Sequence, residues 1–464
     1  MKNYFRSLFL CGLLFLIAPG CRAAIAPIEQ STLPNGSTLL VRRDAVAPRV
    51  AISLVVRAGA TDETAATAGW RQVLAFAVLR ATRLNGEDNE SIVRLSDWQA
   101  RLEKWGGQIG ATVDDDGIEF WIVGDSSHTT ELMRVLLQIV TQPRLAEEDL
   151  AAARRRALTL QNRAANTVSA RATQSIARQL YQDKSGQPTA YALPSFGTFE
   201  TLGHLTETQL RQWQAQFFVP ARFIIAATGN ADADILKAEI NRLSAPAAGS
   251  TPDVDSSNAA PAFAPLASGQ PPLIVREMDT GAAWVFVSYR TPAPGAMTPL
   301  ENAAIEVLSA ALEGSSKARL PQRLLGDEST PFNPGAKSNA LAAVSAAQWT
   351  PRRFAGELTV FAQTGPQNVD AVKNALLDEM RKLRETPLSA AELQSAKEFA
   401  RGSWAQTRSA PHERAFQAAL ANLQQTVTDT KVPDYLQVVT ADILQKTAQK
   451  YLRDYAVVLI MPEE

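Results

Sequence analysis

The order strand, turn, strand, loop, helix occurs twice in this chain, and that recurrence narrows the possible folds more than any single motif does. The early copy is TLLVRRDAVAPRVAISLVVRAGATDETAATAGWRQVLAFAVL; the late one is PLIVREMDTGAAWVFVSYRTPAPGAMTPLENAAIEVLSAAL. Identity between them is low, yet order and hydrophobic period agree over roughly 40 residues. A duplicated domain is the expectation. Length is consistent with it, because 464 residues exceed what one small core serves.

Each copy predicts mixed layers. RVAISLVVRAGA is rich in β-formers and Gly59 can end the strand. Ala68 to Thr82 reads as helix, DWQARLEKWGG as an amphipathic helix stopped by Gly106 and Gly107, and QIGATVDDDGIEFWIVG as a hairpin about Asp114 to Gly117. Helical spacing returns over Thr130 to Val140, Glu147 to Tyr181, Asp370 to Glu385 and Ala390 to Gln406, with strands at RFIIAATGN and Tyr455 to Ile460. Strands and long helices alternate irregularly, which predicts an α+β fold: mainly antiparallel sheets with helices on one face. Residues 244–272, rich in Ala, Pro, Ser and Gly, read as a linker between an N-terminal domain over 25–243 and a C-terminal domain over 273–464. Phe263 and Leu266 give that linker something to pack with.

Residues 1–24 have the parts of an export signal: basic Lys2 and Arg6, an apolar run from Leu8 to Ile17, and small residues through Ala24. Cleavage after Ala23 or Ala24 fits, as does lipid attachment at Cys21, although Ala18 is atypical of a lipoprotein box. A periplasmic protein, soluble or anchored at Cys21, is the expectation. Both cysteines, Cys11 and Cys21, lie in this leader, so the region beyond it has no disulfide, zinc-thiolate site or cysteine nucleophile. A net charge of -1 provides no strong field to recruit nucleic acid. No later run is long and apolar enough for a membrane span, and no transmembrane partner is required.

Six stretches, in order, carry a resemblance: LPNG (Leu33 to Gly36), VRAGATDE (Val56 to Glu63), WGGQIGATVDDD (Trp105 to Asp116), GTFETLGHLTETQL (Gly197 to Leu210), FFVPARFIIAATGNAD (Phe217 to Asp232) and EGSSKARLPQRL (Glu313 to Leu324). Together they resemble the pitrilysin and insulinase family of zinc metallopeptidases, particularly its processing-peptidase-like members. The resemblance implies two tandem homologous domains in a clamshell around peptide substrates. Active relatives place histidine, two spacers, glutamate and histidine on the early helix. Residues i and i+4 share a helical face and bind zinc, while the glutamate activates water. The matching positions here are Gln72, Ala75 and Phe76. A further glutamate of the family falls near Ala152 to Arg154, where none occurs; Glu147 and Glu148 suit the first turn of the helix instead. The three histidines, His128, His204 and His412, are scattered. Neither a metal, nor a cofactor, nor a catalytic residue is therefore assigned.

Metal-less chains of paired peptidases of this type supply an arginine and a tyrosine from the late domain. The matching positions hold Leu325 and Phe332, which can do neither job. Arg319 and Arg323 remain candidates for peptide contact beside the ordinary reading as surface charges. Gly106, Gly107 and Gly110 read as turn residues rather than a phosphate cradle, Ser315 and Ser316 as turn or cap residues, and Asp114 to Asp116 as a solvated hairpin rather than a cation site. Trp70, Trp98, Trp105, Phe120 and Trp121 are candidates to line a peptide cleft, but the periodicity around them places most of them in domain cores. The strand beginning at Arg49 is a candidate edge for peptide addition. The expected role is an exported, catalytically inactive homologue working as the non-metal accessory or regulatory subunit of a zinc-bearing peptidase partner; the alternative is a peptide-binding or assembly module with no part in hydrolysis.

Overall fold

The structure is a computed structural model and describes residues 26–85, 90–243, 260–266, 269–277, 281–325 and 340–463. The leader with Cys11 and Cys21, most of the linker, and Phe332 lie outside the described residues. The first half opens with β1 (Glu29–Thr32), β2 (Thr38–Arg43), β3 (Arg49–Val56) and α1 (Trp70–Val78). A small hairpin, β4 (Ala81–Asn85) and β5 (Glu90–Arg94), precedes α2 (Leu95–Glu103), β6 (Gln108–Val113) and β7 (Ile118–Asp125). Helices α3 (Thr129–Thr141), α4 (Glu147–Ala165), α5 (Val168–Leu180), α6 (Phe199–Gly203) and α7 (Glu207–Phe217) follow, then β8 (Phe223–Gly229) and α8 (Ala233–Leu243).

The second half runs β9 (Leu273–Glu277), β10 (Ala283–Pro292), α9 (Pro299–Glu313), α10 (Arg319–Leu324), β11 (Val344–Thr350) and β12 (Ala355–Thr364). Its last elements are α11 (Val369–Glu385), α12 (Ala390–Gln406), α13 (Pro411–Leu423), α14 (Val432–Val438), α15 (Ala441–Tyr451) and β13 (Tyr455–Pro462). The expected duplication is visible in the sheets. Strand order β2-β8-β3-β7-β6 in one half matches β9-β13-β10-β12-β11 in the other, with β1 added at the first sheet's edge. Pairing is antiparallel except β2 with β8 and β9 with β13.

Two local expectations change. The helix of the first repeat ends at Val78, because the chain turns at Leu79 and Arg80 and enters the β4–β5 hairpin, which Arg144 N–H bonds at Ala81 O at 2.9 Å. Strand β3 is no edge: β8 and β7 flank it on its two sides, and the first sheet ends at β1 and β6. The candidate edge for peptide addition therefore moves from Arg49 to β6.

Each half's own helices pack on one face of its sheet, and a helix from the other half covers the opposite face. On β3, Val50, Ile52, Leu54 and Val56 join the first half's core, whereas Ala51 and Val55 meet Ala415, Ala418, Ala419 and Leu423 of α13. The second sheet repeats this. Val457 and Leu459 of β13 face its own helices, while Val458 and Ile460 meet Ala172, Ile176 and Leu180, at the end of α5 and along it. Strands buried on both faces need continuous apolar runs instead of alternation, and RVAISLVV, FIIAATG and YAVVLIMP are such runs. Small residues at the contact, Ala51, Ala226, Ala415 and Ala419, bring α13 close to the strands. Enlarging the fully buried Ala415 to Phe is expected to destabilise the fold by about 1–3 kcal/mol through overpacking, read from the midpoint of urea denaturation.

Candidate functional site

Helices α1 and α4 pack on each other and bring together the positions that the resemblance matches to the family's metal motif. Every residue of α1 is buried, Gln72 and Phe76 included. Ala75 is fully enclosed and Ala153 nearly so. The Arg156 guanidinium lies over the Phe76 ring, 4.2 Å from its centroid, a cation–π contact placed where a cationic metal would be repelled. The corner is filled by packing, not by donors. The histidines stay apart: His128 stacks on Trp105, His204 ends α6, and His412 bonds Glu119 through Nε2 at 2.9 Å. Among the described residues, no group of three or more His, Cys, Asp or Glu side chains is arranged to hold a metal ion.

The turn between β6 and β7 is where the halves meet, and it is only partly solvated: Asp116 is buried, and Asp114 and Asp115 are half-buried. Asp115 accepts from Arg352 Nε at 2.6 Å and from Arg71 Nη2 at 3.5 Å. Asp116 accepts the Arg353 backbone N–H at 2.9 Å, Gln424 Nε2 at 2.9 Å and Tyr191 OH at 3.2 Å. Asp114 folds back on its own turn, its Oδ1 accepting the N–H groups of Asp116 and Gly117 at 2.8 Å. Three successive aspartates thus have three separate sets of partners, so they gather no cation. Arg352 continues the network to Tyr181 OH at 3.0 Å and Glu357 at 3.1 Å. Arg71, paired with buried Glu63, ties it to α1 beside Gln72. Part of the linker packs here too: Phe263 meets Tyr181 edge-on at 5.4 Å, and Ala264 N–H bonds Gln182 O at 2.7 Å.

The environment separates the three carboxyls. Burial, reinforced by the nearby Asp116 charge, pushes Asp114 up to about 7. Burial also raises Asp116 despite the bonds from Gln424 and Arg353. At Asp115 burial acts the same way but is outweighed by the Arg352 and Arg71 charges, which hold it below the usual range.

Beyond the turn lies a cavity of about 760 Å³, walled by the turn itself and by α9, α12, α13 and β11. It occupies in the second half the corner that α1, α4 and β6 form in the first, since α9 packs on α12 and β11 as α1 packs on α4 and β6. Of the residues considered for peptide contact, Arg319 is engaged by Glu392 at 2.9 Å and Arg323 is exposed on α10. Leu325 is half-buried against the second core. Trp70, Trp98 and Phe120 are core as expected, whereas Trp105 and Trp121 are half-buried.

The insulinase (peptidase family M16) pattern matches residues 38–192, and the pattern of the peptidase M16 inactive domain matches residues 204–399. The chain belongs to the M16 peptidase family, and among its described residues no cluster of metal-ligating side chains occurs. A protease from Helicobacter pylori has a similar structure, with a TM-score of 0.80 at 15% identity over 94% of this chain and 100% of that one. A peptidase M16 inactive domain from Pseudomonas fluorescens gives 0.74 at 15% identity, covering 94% of this chain and 98% of that one. A chain of complex III2 from Candida albicans gives 0.74 at 16% identity, covering 94% and 96%. At such identities the likeness is one of fold. No curated protein matches the chain by sequence.

Two outcomes follow from this geometry. Phe76→Ala is expected to cost roughly 3 kcal/mol in urea denaturation, as for a core aromatic, and to leave the zinc content of the purified chain unchanged. Asp114 is held protonated in the fold to about pH 7 but ionises near its ordinary value of 3.8 when unfolded. The folded chain therefore binds more protons between those values, and stability falls as pH rises through that window. Asp114→Asn keeps the Oδ1 acceptor and removes the charge. It is expected to be more stable than wild type at pH 8 by at least roughly 1 kcal/mol, with the gap shrinking toward pH 4 in paired urea titrations.

Proposed function

We propose that this chain is an exported, catalytically inactive M16 homologue that works as the non-metal subunit of a zinc-bearing peptidase partner. The observation that carries the reading is the contrast between scaffold and corner. Both halves retain their sheets, and ordered polar bonds join them at Asp115 and Asp116, yet buried Gln72, Ala75 and Phe76 stand where the resemblance expects the helix's motif residues. A chain that kept the clamshell while its ligand positions became core suits holding or presenting peptide rather than cleaving it. The first sheet supports this, since its edge strand β6 offers a backbone row to an extended peptide. Export rests on the leader sequence: Lys2 and Arg6, the apolar run and the small residues through Ala24, with Cys21 as a lipid-attachment point. Among the described residues no helix is long and apolar enough to cross a membrane.

A second reading is an assembly module without a part in hydrolysis. The likeness to a chain of the Candida albicans complex III2 favours it, as that is this fold inside a larger assembly. Gentle purification from the native envelope, with metal analysis, mass of every bound component and a peptide-turnover assay, separates the two. The expected result is a stoichiometric zinc-bearing partner whose turnover is lost on separation and restored on mixing. Recovery in a complex without turnover would transfer the assignment to assembly.

A further inference from the structure

The face of the first sheet that α13 covers is largely apolar, yet it carries an enclosed carboxylate. Val55 of β3 faces α13, and its register partner on β7 is Glu119, so the Glu119 side chain projects onto the same face. Glu119 is only 3% exposed there. A carboxylate so enclosed is costly unless hydrogen bonds and an opposite charge reach it. Two groups reach its Oε1: Ser53 Oγ donates from β3 at 2.7 Å, and His412 Nε2 lies at 2.9 Å. The His412 ring also lies against Trp121, with centroids 4.6 Å apart. Ser53, Glu119 and Trp121 belong to the first half and His412 to the second. The contact therefore adds a polar bond to the apolar seam between α13 and the first sheet.

His412 occupies the first turn of α13, where the field of a helix disfavours a cation. Burial disfavours it as well, but the hydrogen bond and charge of Glu119, with the charge of Glu413, outweigh burial and raise the imidazole above its ordinary 6.5. Among the described residues, the other charges on the elements packed against α13 are engaged elsewhere or exposed. Strand β8 has no charged side chain, and Arg49 at the start of β3 bonds Gly106 O at 3.1 Å. Asp125, at the far end of β7, accepts the Ser127 N–H at 2.8 Å. In the turn at Asp429–Lys431, Asp429 is taken by Arg42 and Arg408, and Lys431 is exposed. Arg414 of α13 itself bonds the Arg408 and Ser409 carbonyls. His412 is only half-buried, so it exchanges protons with water without unfolding.

We propose that Ser53, Glu119 and His412 form a proton-operated latch between the halves: a charged His412 holds the amino end of α13 on the first sheet, and a neutral one loosens it. The neutral ring can still donate from Nε2, so what is lost is the charge, and charge-assisted bonds are about twice as strong as neutral ones. Because folding raises the imidazole, its contribution is full below about pH 6.5 and is lost as pH rises through the higher folded value. Thr407 and Arg408, which lead into α13, line the cavity beyond the aspartate turn. The latch therefore sets how firmly that wall is held, whether or not the chain has a peptidase partner.

The test is hydrogen–deuterium exchange of the full chain from about pH 6 to about pH 9, corrected for the intrinsic pH dependence of amide exchange, on wild type, His412→Gln and Glu119→Gln. His412→Gln keeps a neutral N–H donor at every pH, and Glu119→Gln keeps an acceptor without the charge. In wild type, protection of Pro411–Leu423 relative to Val369–Glu385 is expected to fall roughly threefold or more over that range, and in His412→Gln to stay flat. Asp114 titrates in the same sense, but wild type and His412→Gln share it, so the difference between them isolates His412. Proton NMR of the histidines gives a second readout. The resonance lost in His412→Gln should titrate above 6.5 in wild type and move down in Glu119→Gln. Equal exchange profiles in wild type and His412→Gln would overturn the proposal, and so would a His412 titration that Glu119→Gln leaves unmoved. A pH effect spread evenly over α11 and α13 would also overturn it, making His412 a group of overall stability. If Glu119→Gln does not fold, the comparison of wild type with His412→Gln decides alone.

Discussion

Neither sheet of this protein can be covered by its own half. Strand β3 is apolar on both faces, as are β8 and β13, and each sheet receives from its own repeat helices for one face only. The second face is closed by exchange: α13 lies on the first sheet and α5 on the second. The hydrophobic effect thus makes the two halves mutually dependent, because separating them would expose an apolar sheet face on each. The relative placement of hairpin turn, cavity and helix corner follows from that exchange.

The polar joint is held within this apolar frame. A turn bearing three aspartates would be self-repelling in isolation, and it becomes tolerable where Arg352, Gln424 and the Arg353 N–H of the other half, with Arg71 of α1 and Tyr191 of its own half, meet it. Low local dielectric strengthens those bonds and makes any unpaired group there expensive, which favours one docking geometry. Arg71 connects the joint to the helix that carries Gln72, Ala75 and Phe76. In this chain that helix contributes to holding the halves together, and its face carrying Gln72, Ala75 and Phe76 is packing surface.

Much of this was legible beforehand, and the misses have identifiable causes. The long helices from Asp370 to Glu385 and Ala390 to Gln406, the strand from Tyr455 and the hairpin at Asp114 to Gly117 are marked by local period and turn chemistry. The loss of the motif at Gln72, Ala75 and Phe76 needs only residue identity. The strand from Arg49 lies inside its sheet and not at an edge, and its unbroken run of apolar residues is the signal of burial on both faces. An acidic turn by itself predicts solvated carboxylates; the partners that engage Asp115 and Asp116, Arg352, Arg353 and Gln424, lie more than two hundred residues away in the chain.

What the sequence determined by itself was the repeat, the class of elements and the chemistry that the α1 positions cannot perform, since these follow from residue identity and short-range period. What only the tertiary structure decided was which face each helix covers and which charges become paired. Those outcomes depend on contacts between residues far apart in the chain, where burial sets the energetic value of a charge and no local pattern records the burial.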